Sequence, residues 1–225
     1  PTSRGVLSLS IFTGPVHLLS HGHLDHAGGS AQFDTVYLNQ KDWALSARHT
    51  SLSNRHWDLK QLDNDLFSRI PAEDWVPTRT SAYVPLSESD CFDLGDVQVM
   101  PIAVPGHTEG SMIFLIPEDR IAILGDACGE STLIKKEMMG TYEKGLTHLS
   151  MFLDQFDIVL RNHGSFMSQK QIIEDNLTLA RDIICGRDAA VPGCCMGVDG
   201  FFGRPLQHPG KEGNIFYAPT ANAIW

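Results

Sequence analysis

The sequence predicts an α/β (α+β) domain, and three features carry that expectation. Short apolar and β-branched runs alternate with segments of helical period, Gly, Pro or Asp punctuates nearly every boundary, and four runs lead directly into a His or Asp. No internal repeat, low-complexity tract or linker divides the 225 residues, so one domain over 1–225 is expected, large enough to bury a core without disulfide staples.

Taken in order, strands are expected at residues 6–12, 16–19, 35–38, 97–104, 112–116, 121–124 and 157–160, several of them apolar on both faces. The fifth and sixth, joined by Pro117-Glu118-Asp119-Arg120, read as an antiparallel hairpin with a polar turn. The best helix spans 169–185. Ser168 and Gln171 suggest a capping box, Ile173, Leu177, Ala180 and Ile184 recur at helical spacing, and Gly186 ends it. A second helix is expected over 142–152 with Leu146, Leu149 and Leu153 inward, and a third over 42–47. Segment 51–71 carries Leu59, Leu62, Leu66 and Ile70 at spacings of three and four, the pattern of an ordinary packing helix. Residues 214–217 read as a closing strand, so 165–225 supplies a C-terminal helix and that strand.

Composition narrows the partners. Seventeen Lys and Arg against 27 Asp and Glu give a net charge of −10, spread as −6 over residues 1–112 and −4 over the remainder. Such a surface repels polyphosphates, so nucleic acid is an unsuitable substrate. Cys91, Cys128, Cys185, Cys194 and Cys195 are odd in number and include no CxxC pair, which fits reduced thiols in a cytoplasmic protein. No run approaches the roughly 20 apolar residues that span a bilayer, so no membrane partner is expected.

The chemistry concentrates in His21-Gly22-His23-Leu24-Asp25-His26, four metal-ligand side chains within six residues after an apolar strand. On an extended strand end His21 and His23 project to one side, and a turn then lets Asp25 and His26 face a second point, which implies two adjacent metals. Three later segments repeat the form of a strand leading to a ligand: Val104-Pro105-Gly106-His107-Thr108, Leu124-Gly125-Asp126 and Leu160-Arg161-Asn162-His163-Gly164. Carboxyl ends of neighbouring strands gather at one edge of a layered α/β fold, so these ligands are placed to meet.

These motifs, with the Pro105-Gly106-His107-Thr108-Glu109-Gly110-Ser111 loop, resemble in type and order the metal-binding motifs of the metallo-β-lactamase-fold hydrolases, over about residues 16–185. The resemblance implies a four-layer αββα sandwich with a dinuclear site between its two sheets. Position by position it implies that His21, His23 and His107 hold one ion, that Asp25, His26 and His163 hold the other, and that Asp126 bridges them. The full His/Asp set is similar to the glyoxalase II type rather than to true β-lactamases. A glutathione-holding helical domain finds no counterpart in the 62 residues after His163. Only twenty residues precede His21, from which an incomplete first sheet, an exposed edge and homo-oligomer formation are expected.

The reaction expected is hydrolysis of a small ester, thioester or lactone by a metal-bridging hydroxide. Two divalent ions lower the pKa of the shared water, and Asp25 acts as a catalytic ligand that orients it. Zn suits the donors best, with Fe or Mn as alternatives. The rivals are a small-molecule phosphodiesterase and a non-catalytic metal-binding protein. His17, His49, His56, His148 and His208 are expected to be satisfied or solvated, Cys128 to be a buried thiol, and Cys194 and Cys195 to pack ordinarily. Residues 135–139 read as a solvated loop, with the alternative that they line the substrate mouth and Tyr142 donates to an oxyanion.

Overall fold

The computed structural model describes residues 7–8, 15–207 and 210–219. Its strands are β1 Leu7–Ser8, β2 Val16–Leu18, β3 Thr35–Leu38, β4 Val84–Pro85, β5 Phe92–Asp93, β6 Gln98–Ala103, β7 Met112–Ile116, β8 Ile121–Ile123, β9 Thr132–Lys135, β10 Ile158–Leu160, β11 Met167–Ser168, β12 Val191–Cys195, β13 Val198–Phe202 and β14 Ile215–Ala218. The helices are α1 Leu24–Ala27, α2 Trp43–His49, α3 Leu52–Leu62, α4 Asn64–Arg69, α5 Met139–Ser150 and α6 Gln171–Ile184. Of the strand expected over 6–12, only Leu7–Ser8 falls within the described residues.

A seven-stranded sheet runs in the order β1-β5-β6-β7-β8-β10-β11 and a three-stranded sheet in the order β2-β3-β4. Strand β7 shows why they stack. Alternate side chains leave opposite faces of a strand, so Ile113 and Leu115 enter a core with Leu146, Leu149, Ile173 and Leu177 of α5 and α6. Met112 and Phe114 point the other way, to Tyr37, Val16 and Leu18 of the small sheet. On β3 the same alternation sends Tyr37 to that inter-sheet core and Val36 and Leu38 to Leu19, Ala27 and Trp43 on the far side. The layers are therefore α5/α6, large sheet, small sheet, α1/α2, which is the αββα sandwich.

Strands β7 and β8 form the expected hairpin, with Arg120 at φ 56 closing the turn onto Pro117. A further sheet, β12-β13-β14-β9, is added by residues that matched no motif. Its strand β14 pairs parallel with β9 and puts Ile215 and Tyr217 into the main core. All five cysteines are free thiols, and Cys128 is fully buried as expected.

Four local expectations need correction. Ser168 does not cap α6: it lies in β11 and accepts from Arg161 Nε at 2.7 Å, while Lys170 occupies the cap position. The segment after Ser131 is the strand β9 followed by a single turn, and Met139 is buried at the start of α5, so it is not a solvated loop. Tyr142 is wholly buried and cannot face a substrate. The leucine stripe of 51–71 is split between α3 and α4, and Leu62 and Leu66 are exposed rather than packed. No helix among the described residues is long and apolar enough to cross a membrane.

One buried charge fastens the added sheet. Asp175 on α6 accepts from Lys211 Nζ at 2.9 Å, from the Glu212 backbone N–H at 3.1 Å and from Gln171 Nε2 at 3.4 Å. Burial pushes this carboxyl up, but those three donors outweigh it and leave its pKa below the ordinary value. A depressed folded pKa adds stability above the unfolded value of about 3.9, and this is lost as pH falls through the folded value. Asp175→Asn is expected to cost about 1–3 kcal/mol at pH 7, a Tm loss of roughly 5 °C. Melts at pH 7 and pH 2 check it, because an equally large gap at both pH values would contradict the electrostatic cause.

Candidate metal centre

Each strand that bears a ligand ends at the same edge of the sandwich. Strand β2 leads into Ser20 and His21, β6 into His107, β8 into Asp126 and β10 into His163, while Asp25 and His26 ride on the first turn of α1. Two glycines make the approach possible. Gly106 has φ 156, and a Cβ there would meet the Tyr142 ring at 2.5 Å, so this buried ring seats the turn that carries His107. Gly125 has φ 54 and would strike Ser20 Oγ at 2.8 Å, so only glycine lets the Asp126 turn lie against the His21 loop.

All seven predicted ligands come together, in two groups. One is His21, His23 and His107, all buried; the other is Asp25, His26, Asp126 and His163, more open to solvent. Asp126 stands between them. Its Oδ2 lies 4.0 Å from His21 Nε2, 3.7 Å from His107 Nε2, 3.4 Å from His26 Nε2 and 3.1 Å from His163 Nε2. Asp25 Oδ2 is 3.1 Å from His163 Nε2 and 3.5 Å from His26 Nε2.

The first group is chemically incomplete as it stands. His23 Nδ1 lies 3.1 Å from His21 Nε2 and 3.0 Å from His107 Nε2. The other nitrogen of His107 sits 3.0 Å from the Leu133 carbonyl and must donate to it, which leaves its Nε2 as a bare lone pair. His21 Nδ1 is likewise held by Ser20 Oγ at 3.1 Å. A neutral imidazole has one proton, so the three inward nitrogens cannot satisfy one another. A tetrahedral cation about 2.0–2.1 Å from each would hold them about 3.3 Å apart and satisfy all three. Asp126 Oδ1 is also buried without a hydrogen-bond partner. The residues therefore fit a cation.

Burial tunes the donors for that role. It is the largest influence depressing the pKa of His21, His23 and His107; neighbouring imidazoles add to it at His21 and His23, taking His23 down to about 2, while at His107 burial outweighs the Asp126 charge and the Leu133 carbonyl. These rings stay neutral and keep their lone pairs. At His26 burial also acts downward, but the hydrogen bond to Asp126 and the charges of Asp126 and Asp25 outweigh it and raise the pKa. At Asp126 burial acts upward, and the hydrogen bond to His26 with the other imidazoles brings the net value down.

Two supporting residues were not singled out in the sequence. Asp42 is 1% exposed and accepts from the Gly22 N–H at 3.0 Å, the Gly110 N–H at 2.8 Å and Thr108 Oγ1 at 2.6 Å, which ties the His21–His26 loop to the His107 loop. Ser20, besides holding His21, lies 3.4 Å from His26 Nδ1. His49 is a satisfied rather than a solvated histidine: its Nε2 lies 3.3 Å from Arg48 Nη2 and its ring stacks on His23 with centroids 4.9 Å apart.

Comparison with known proteins identifies the family of the fold. A family model for the metallo-beta-lactamase superfamily matches residues 18–135. The chain is 30% identical over 120 residues to the acyl-coenzyme A thioesterase MBLAC2 of Homo sapiens, an alignment covering 51% of this chain and 42% of that protein. It is 25% identical over 161 residues to the hydroxyacylglutathione hydrolase GloC of Haemophilus influenzae, covering 67% and 69% respectively. The chain thus spans less than half the length of the first of these relatives. Among solved structures, a metallo-beta-lactamase family protein from Thermus thermophilus superposes with a TM-score of 0.54 at 19% identity, covering 74% of this chain and 60% of that one, a likeness of fold. The matched segment runs from the end of β2 through β9, holds six of the seven clustered ligands and takes in over half the sequence, so this chain belongs to the metallo-beta-lactamase superfamily.

Proposed function

We propose that this protein is a dinuclear metal-dependent hydrolase of small thioesters, within a wider range that takes in esters and lactones. One observation carries the reading: a single carboxylate oxygen, Asp126 Oδ2, reaches ring nitrogens of both ligand groups within 4.0 Å. His21, His23 and His107 would hold one ion, and Asp25, His26 and His163 the other, with Asp126 shared. The relatives named for an acyl-coenzyme A and for a hydroxyacylglutathione favour the thioester among the candidate bonds. Imidazole and carboxylate donors suit Zn, and Fe or Mn would also accept them.

When bound, such a pair of ions polarises a carbonyl and supplies a water of lowered pKa. The protein's own part is placement. The neutral rings of His21, His23 and His107 offer lone pairs rather than protons, and Asp42 holds the two loops that carry them. Asp25 has a half-exposed carboxylate that can accept and orient a water proton. No Ser, Cys or His nucleophile is needed.

Elemental analysis of purified protein is expected to give near two divalent ions per chain, and none would end the proposal. A turnover screen across acyl-coenzyme A and hydroxyacylglutathione thioesters, lactones, β-lactams and phosphodiesters, with metal-depleted protein as the control, is expected to single out a thioester. Preference for a phosphodiester would reassign the substrate, and silence across the panel with two ions bound would favour a non-catalytic binder. Asp25→Asn is expected to lower turnover by about 10²–10⁴-fold with the fold retained, and unchanged turnover would remove the role given to Asp25.

A further inference from the structure

His163 is held unlike the buried ligands of the first group. Its side chain is 64% exposed, and it sits in the loop between β10 and β11 rather than at the foot of a packed helix. The bracing of that loop comes from the residue two positions before it. The side chain of Arg161 is only 2% exposed, and its guanidinium donates in several directions at once. Nη1 donates to the His163 carbonyl at 2.8 Å, and Nε donates to Ser168 Oγ at 2.7 Å. Nη2 donates to Glu130 Oε1 and to Ser165 Oγ, each at 2.6 Å. The Arg161 backbone N–H closes the loop onto the Phe166 carbonyl at 2.8 Å.

The Glu130 contact gives this cluster its significance. Glu130 lies four residues after Asp126, on the loop that presents the shared carboxylate. One planar, buried cation therefore joins the loop of His163 to the loop of Asp126, whose reactive atoms stand 3.1 Å apart. A guanidinium is suited to this because its donors radiate in a fixed plane, whereas an ammonium is a single point. The Arg161 charge is matched by Glu130, whose pKa is held down by the Ser165 hydroxyl and by Arg161 despite some burial.

We infer that Arg161 is a positioning residue for the second cation: by clamping the His163 loop to the Asp126 loop it sets the geometry of the open ligand group and leaves the buried three-histidine group untouched. This rests on the dinuclear reading given above. A buried arginine that merely stabilised the fold would lower the melting temperature without distinguishing one ion from the other. A positioning arginine acts selectively, because the Arg161 guanidinium donates to His163, Ser168, Glu130 and Ser165 and to none of His21, His23 or His107.

The test uses the full chain as Arg161→Met, Arg161→Lys, Glu130→Gln and the Met/Gln double variant. Cobalt(II) is titrated into metal-free protein and followed by its visible absorption, with zinc content measured after dialysis against a weak chelator. The parent is expected to take up two equivalents. Arg161→Met is expected to keep the first at parental affinity and to lose affinity for the second by about 10–100-fold. Arg161→Lys is expected to follow it closely, because one ammonium cannot serve acceptors spread around a plane. Glu130→Gln, at a half-exposed side chain that threatens the fold less, should weaken the second ion in the same selective way, and the double variant should add little to Arg161→Met. Equal weakening of both ions, or parental affinity for both in Arg161→Met and Glu130→Gln alike, would overturn the inference. A parent that binds fewer than two ions would instead defeat the dinuclear reading beneath it, so the two failures are distinguishable.

Discussion

Asp126→Ala is expected to reduce thioester turnover by about three orders of magnitude or more. Its Oδ2 faces both ligand groups, so on the proposed dinuclear reading its loss removes a donor from each ion at once. A correctly held metal pair is worth several kcal/mol of transition-state charge stabilisation, and each 1.36 kcal/mol is a factor of ten in rate. The variant should also bind fewer than two ions. In metal-free protein the substitution has a second signature. The hydrogen bond and charge of Asp126 hold the His26 pKa up, so its removal should bring the His26 titration down in NMR spectra. A raised histidine pKa stabilises the fold below the unfolded value and loses that contribution as pH rises through the folded one, so any stability lost with Asp126 through His26 should show at acidic rather than alkaline pH. Turnover within tenfold of the parent with two ions bound would refute the assignment of Asp126.

The second large effect is expected at a residue that touches neither ion group through a ligand atom. Asp42→Ala leaves the buried Gly22 and Gly110 N–H groups facing a void, while the Thr108 hydroxyl keeps Ser111 Oγ at 2.8 Å. Each unsatisfied donor costs about 1–3 kcal/mol, so the pair removes a large share of the ~5–15 kcal/mol that holds a typical domain together. The variant is expected to melt far lower and to bind metal weakly, because the loops of His21–His26 and of His107 lose their common anchor. Burial pushes the Asp42 carboxyl up in pKa while its three donors pull it down, and burial prevails. Asp42→Asn, which keeps one acceptor oxygen, should therefore retain more stability than Asp42→Ala. Equal melts for the two variants would show that the oxygen and volume kept by Asn contribute nothing, and would refute that expectation.

Much of this was legible in the chain. Strands β3 and β7 fall on the expected residues, because Thr35–Leu38 and Met112–Ile116 are short β-favouring runs bounded by turn residues. The ligands were legible because histidines at strand ends have few other uses in such a pattern. Asp42 was not, since an acidic residue ahead of a helix reads equally as a solvated first-turn charge; only its three donors, drawn from loops 20 and 66–68 residues away in sequence, show otherwise. The stripe from Leu59 to Ile70 misled because Asp63, at φ −155, ends α3 and caps α4, which resets the helical phase. Strand β9 escaped notice because it is followed at once by charged residues, and its partner β14 lies 80 residues further along the chain. The capping role proposed for Ser168 failed for a similar reason: Arg161 recruits its hydroxyl first.

The order of residues alone dictates the donor set: which side chains can bind a cation, and that each follows a strand. Period and spacing along one strand fix the side to which a residue points, and they extend no further. Three-dimensional packing is what turns a particular nitrogen of each imidazole inward, seats Tyr142 beneath His107 instead of against substrate, and lets Arg161 and Asp42 lash separate loops together. Those outcomes depend on contacts of about 3 Å between segments tens of residues apart, and only the packing of two sheets against each other, held by their buried cores, sets distances of that kind.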